Sequence, residues 1–176
     1  MLAPAWRRRV ASLASFTEGG FMQGDPQVID ALNDVLTAEL TAINQYFVHS
    51  KMCRNWGYEK LAEKKHEESI GEMKDADALI DRILFLDGVP NMQRLSPVRA
   101  GEDPVEQHEL DLAMEKEAVD RLNQAILLCH EKRDAGTREL LEHILKGEEE
   151  GVDWLEAQLH IVGEIGKERY LAEMIS

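Results

Sequence analysis

A chain of 176 residues suits one compact domain, and 44% apolar with 31% charged residues is the composition of a folded globular protein, not a disordered one. The formal net charge of −14 excludes a nucleic-acid binder, which needs a basic surface for phosphates, and no run of about 18 apolar residues offers a membrane span. Only five prolines, with long stretches free of both proline and glycine, favour helices over a many-turned β fold. In chain order, residues 1–21 come first: Trp6-Arg7-Arg8-Arg9 is basic, the first acid is Glu18, and the apolar run from Val10 to Phe16 is too short and serine-rich for a targeting signal. They are expected to be an extension outside the fold, either a disordered tail or a start assigned too early. The folded domain is placed at 22–176.

Asp25-Pro26 reads as a helix start, with an acidic N-cap and proline at the first helical position. Apolar residues then recur at helical spacing through Val28, Leu32, Val35, Leu36, Leu40, Ile43 and Phe47, ending near Trp56-Gly57. A second helix is predicted from about Tyr58 to Asp87, stopped by Gly88-Val89-Pro90-Asn91. Residues 88–104 carry Pro90, Pro97 and Pro104 without periodicity, which reads as a long connection. A third helix runs from Pro104 to about Lys132, Asp134-Ala135-Gly136-Thr137 reads as a tight turn, and a fourth helix continues to about Val162. A short fifth helix, Lys167 to Ile175, follows, and packing at an assembly axis would explain it. Two helical hairpins joined by one long connection make an all-α, ferritin-like four-helix bundle with a long crossover. Cys53 and Cys129 have neither metal-type nor redox-type spacing and read as buried free thiols in a reducing cytoplasm.

Each long helix carries a glutamate inside its own apolar stripe: Glu39, Glu72, Glu115 and Glu148, all near mid-helix. Glu39 and Glu72 are 33 residues apart, as are Glu115 and Glu148, so both hairpins present the same pair in the same register. Buried ionised carboxylates are costly without compensation, and four at one depth repel one another. A cation is the simplest compensation; pairing with buried basic groups is the other. A di-iron carboxylate bundle also wants Glu-x-x-His on two helices, placing an imidazole on the glutamate's face. Here the steps are Glu72-x-x-Asp75 and Glu148-x-x-Gly151, so Asp75 offers an oxygen and Gly151 offers nothing. The six histidines, His49, His66, His108, His130, His143 and His160, read as off-level surface or interface residues.

The stretches Leu40-Thr-Ala-Ile-Asn-Gln-Tyr-Phe47, Asn55-Trp-Gly57, Glu68-Ser-Ile-Gly-Glu-Met-Lys74, Arg82-Ile-Leu-Phe-Leu86 and Asp153-Trp-Leu-Glu156 resemble bacterioferritin, in order and at family spacing. The resemblance covers Met22 to about Ser176. It implies a hollow cage of 24 subunits storing ferric mineral, with b-type haem on the two-fold axis of each subunit pair. The family's haem ligand directly follows the second-helix glutamate, which makes it Met73 here. Asn44, Phe47, Trp56 and Ile70 match positions near that haem. Glu39, Glu72, Glu115 and Glu148 match the glutamates of the family's di-iron ferroxidase centre, while Asp75 and Gly151 stand where its histidines belong. An accessory inner-surface iron site, a histidine, a glutamate and an aspartate in the family, reads Glu67, Glu68 and Gly71.

The resemblance therefore implies the haem-bearing subunit of an iron-storage cage. Haem at Met73 supports electron transfer for iron release from a small ferredoxin, and a ferroxidase-competent partner subunit in a homo- or hetero-24-mer supplies iron oxidation. The competing expectation is a working ferroxidase with an all-oxygen site of Glu39, Glu72, Asp75, Glu115 and Glu148. A third is a shell subunit without haem.

Overall fold

The computed structural model describes residues 23–175, so the expectation for residues 1–21 lies outside the described residues. Five helices follow one another: α1 (Pro26–Trp56), α2 (Glu59–Phe85), α3 (Pro104–Lys132), α4 (Ala135–Ile165) and α5 (Lys167–Ala172). Asp25 caps α1 by accepting from Gln27 N, with Pro26 behind it as expected. Gly57 closes α1 at φ 88°, a left-handed backbone that suits glycine. Asp103 caps α3, accepting from Val105 N at 2.9 Å.

Two boundaries differ from the sequence reading. α2 ends at Phe85, because the chain turns at Leu86 and at Asp87, whose φ is 62°. The predicted turn over residues 134–137 is shorter than expected. Arg133 makes the reversal at φ 60° and Asp134 caps α4 by accepting from Thr137 N at 3.0 Å, so Gly136 and Thr137 already lie in its first turn. Gly136 serves another end: a Cβ there would stand 3.0 Å from Arg82 Nη2. Arg82 lies over this turn, donating to Asp134 Oδ1 at 2.7 Å and Thr137 Oγ1 at 2.8 Å, and ties α2 to the second hairpin.

The bundle is layered along its axis. One end is an apolar core of Val28, Leu32, Leu36, Leu79, Ile83, Leu122, Leu141 and Ile144, all essentially without solvent contact. Each such side chain contributes about 1.5–3 kcal/mol of burial. The other end is closed by Cys53, Leu61, Ala62 and Tyr170, with Trp154, Val162 and Leu171 against them. Tyr170 brings α5 back across the bundle end, where its hydroxyl meets His108 Nε2 at 2.9 Å. Both cysteines are buried and free. Between the two apolar ends lies a polar layer holding the functional groups.

The crossover is not a loose strand of chain. It lies along α1, fastened at every fourth residue of that helix. Asn33 Oδ1 accepts from Asn91 N at 2.7 Å, and Thr37 Oγ1 accepts from Arg94 Nε at 2.9 Å. Thr41 Oγ1 accepts from Ser96 N at 3.0 Å, and Gln45 Oε1 from Arg99 N at 3.1 Å. Gly101 N reaches His49 Nε2 at 3.3 Å. Residues four apart share a helix face, each step rising about 6 Å, which two or three extended residues span. The connection thus returns the chain so that α3 runs antiparallel to α1. No described helix is long and apolar enough to cross a membrane.

Candidate metal centre

Glu39, Glu72, Glu115 and Glu148 meet in the middle of the bundle as their spacing predicts, and all four are buried. Oxygens of Glu39, Glu72 and Asp75 lie within 4.8 Å of one another, and so do those of Glu72, Glu115 and Glu148. Glu72 is common to both groups. Ligand oxygens of one cation are separated by similar distances, so either group is compatible with a metal. Tyr46 donates its hydroxyl to Glu115 Oε1 in a short hydrogen bond. Glu39 and Glu72 face each other closely enough to share a proton, and neither oxygen of Glu39 nor Oε2 of Glu72 meets a hydrogen-bond donor from any other described residue.

Burial, reinforced by the facing carboxylates, pushes Glu39, Glu72 and Glu148 well above the ordinary carboxylate range. Glu115 is also raised by burial, against hydrogen bonds from Glu148 and Tyr46 that favour its ionised form. Asp75 is half-buried and raised by burial, with His143 and Lys74 acting against it. The cluster therefore favours protonated carboxyls. Gly151 faces the cluster: a Cβ there would sit 3.5 Å from Glu115 Cδ, in ordinary contact. The position is aimed at the centre and brings no donor to it.

Two expectations about histidine are corrected. His49 and His108 are fully buried, not surface or interface residues. His49 Nδ1 stands 2.9 Å from Asp111 Oδ1, which also accepts from Gln45 Nε2 at 2.9 Å, while Lys65 Nζ donates to Asp111 Oδ2 at 2.6 Å. All of these side chains are at most 1% exposed. Burial alone would raise Asp111, but the Lys65 ammonium and the His49 contact outweigh it and hold it at about 2. His108 is lowered to about 3 by burial and by Lys65, so it stays neutral. The sequence did carry a signal for this network. Asp111 lies one helical turn before Glu115 on the inward face, and His49 lies four residues after Gln45, where a charged or aromatic-polar side chain has no solvent to meet.

The ferritin-like domain family matches residues 29–163. The bacterioferritin of Mycobacterium leprae is 52% identical over 155 residues, covering 88% of this chain and 98% of the relative. That of Mycolicibacterium paratuberculosis is 54% identical over 155 residues with the same coverage, and that of Streptomyces coelicolor 47% over 154 residues, covering 88% of this chain and 92% of the relative. This chain belongs to the bacterioferritin family. Its function is the iron storage of the bacterioferritins.

Within this bacterioferritin chain, Met73 points away from the carboxylates, about 100° round α2 from Glu72. It is 51% exposed and lines a groove of about 570 Å³ with Leu40, Ile43, Ile70, Ala76 and Ile80. Of the other expected pocket residues, Ile70 lines the groove directly. Asn44 and Phe47 are exposed and continue the stripe of Leu40 and Ile43 along α1. Trp56 ends α1, about 13 Å further along the axis, outside the groove. At the accessory positions, Glu67 is exposed, Glu68 pairs with Lys64, and Gly71 has open space where a Cβ would stand.

Proposed function

We propose that this chain is the haem-bearing subunit of a mixed 24-subunit bacterioferritin cage in the cytoplasm, with Met73 as the residue that would hold the iron of b-type haem. The observation that carries the reading is the placement of Met73: a half-exposed thioether in an apolar groove on the outer face of the first hairpin. Soluble proteins rarely leave such a surface uncovered. Pairing two copies across the groove would let Met73 of each hold the haem and would bury Phe47, Ile70 and Met73 together. Lys74 and Asp77 also line the groove, and Lys74 would offer a cation to a haem carboxylate.

Haem held there would supply one-electron redox chemistry for release of the stored ferric mineral, with a small ferredoxin as the donor. The chain's own part is to hold the iron by Met73, to exclude water through Leu40, Ile43 and Ile80, and to keep this path separate from the carboxylates behind α2. Iron oxidation would fall to a ferroxidase-competent partner subunit, because Asp75 and Gly151 supply no imidazole for redox cycling at this centre.

The test is optical. The full chain, expressed with haem supply, is expected to carry a Soret band that Met73→Leu abolishes while assembly by size exclusion persists. A Soret band unchanged by Met73→Leu, or a wild-type protein without one, overturns the reading.

A further inference from the structure

We propose that His49 is a proton-operated fastening of the crossover: the neutral ring holds the Gly101 N–H, and the protonated ring releases it and holds the Arg99 carbonyl instead. The device stands apart from the haem surface and from the carboxylate cluster, and it requires neither.

Three neighbours surround the ring. Nδ1 lies 2.9 Å from Asp111 Oδ1, off the line of a straight hydrogen bond but at ion-pair distance. Nε2 lies 2.9 Å from the Arg99 carbonyl oxygen and 3.3 Å from Gly101 N. Two of these neighbours are acceptors and the third is a donor. Asp111 is held at about 2, so it is ionised near neutral pH, and a bare nitrogen lone pair facing it would be repelled. Nδ1 therefore carries a proton in either state, and the choice falls on Nε2. A bare Nε2 accepts from Gly101 N–H and turns its lone pair on the Arg99 oxygen. A protonated Nε2 donates to that oxygen and leaves Gly101 N–H without its acceptor. One nitrogen cannot donate and accept at once, so the two fastenings exclude each other.

The surroundings hold both crossover atoms in place. Gly101 is pressed against the start of α3, where a Cβ would stand 2.8 Å from Gln107 N. Arg99 is fixed through its own amide, which donates to Gln45 Oε1 at 3.1 Å, while Gln45 Nε2 donates to Asp111 Oδ1 at 2.9 Å. Asp111, Gln45, Arg99 and His49 thus close a ring of contacts between α1, α3 and the crossover, in which the His49 proton is the part free to change.

Charged groups from each side bear on that proton. Lys65, on α2 and 2.6 Å from Asp111 Oδ2, opposes a positive ring, and so does the lack of solvent around His49. Asp111 on α3 and the Arg99 carbonyl favour it. His108, also on α3, is lowered to about 3 and stays neutral. From the crossover the ring meets the main chain of Arg99 and Gly101, and the Arg99 guanidinium lies toward Glu117 at 3.7 Å.

Amide exchange of the full chain, read residue by residue by mass spectrometry, tests the release. Protection is compared between roughly pH 8 and roughly pH 5, the span in which imidazoles ordinarily change charge, with the intrinsic pH dependence of exchange divided out. At Gly101 it is expected to fall at least about fivefold on acidification, and at Arg99, bonded to Gln45, to hold within about twofold. Solid-state nitrogen NMR of the sedimented, histidine-labelled chain reads the ring itself, with His49 assigned by its proximity to the Asp111 carboxylate carbon. The expected states are Nδ1–H with a bare Nε2 at the alkaline end and protons on both nitrogens at the acid end. A ring that keeps one protonation state throughout, a neutral ring with its proton on Nε2, or Gly101 protection that stays level while the ring titrates each overturn the proposal.

Discussion

Asp111 and Glu39 are both carboxylates cut off from solvent, yet acid acts on them in opposite senses. Asp111 is held at about 2, below its ordinary 3.8. It therefore contributes stability that is fully present above pH 3.8 and is lost as pH falls through about 2. Glu39, Glu72 and Glu148 are raised above 4.5. Their folded environment suits the protonated form, so their contribution is most favourable below pH 4.5 and is lost as pH rises through their folded values, unless a cation replaces the protons. Replacing Asp111 by Asn leaves Lys65 charged and unpaired in the interior. The expected cost is about 3–5 kcal/mol near neutral pH, shrinking as pH is lowered toward 2. Denaturant unfolding of wild type and Asp111→Asn at successive pH values measures it, and a difference independent of pH would contradict this account of Lys65.

At the scale of elements, the helices were legible because apolar spacing and capping agree: Asp25-Pro26, Gly57 and Asp103-Pro104 sit where the structure turns. The carboxylate quartet was legible for a related reason, since mid-helix glutamates in apolar stripes have nowhere else to point. The crossover was legible as a long connection carrying Pro90, Pro97 and Pro104, but its path along α1 was not. Residues 91–100 are all exposed and aperiodic, and nothing in them announces their partners. The signal lay instead on α1, as polar residues at every fourth position: Asn33, Thr37, Thr41, Gln45 and His49. They interrupt the apolar pattern on a face that a helix bundle would otherwise leave to solvent. His49 is buried because it meets Asp111, a residue outside the glutamate quartet that its spacing does not point to. If the fastenings fix the crossover, Thr41→Val should cost about 1 kcal/mol and speed amide exchange at Ser96 more than within α1. Unchanged protection at Ser96 would place the restraint elsewhere.

The whole molecule separates two chemistries across one helix. Glu72 faces the bundle interior and Met73 the outer groove, so a single turn of α2 faces both the carboxylate cluster and the proposed haem surface. The −14 charge draws cations toward such a molecule and keeps nucleic acid away. Asp75 and Gly151 leave the carboxylate centre with oxygen atoms and no imidazole.

The measurement that bears most directly on the division of labour is the rate of ferrous-ion oxidation by the purified homomeric chain in air, beside a bacterioferritin with both histidines in place. Oxidation at least about tenfold slower than that reference, rising when Asp75→His and Gly151→His are combined, is the predicted result. A homomer that oxidises iron as fast as the reference would contradict the account and make this chain an all-oxygen ferroxidase.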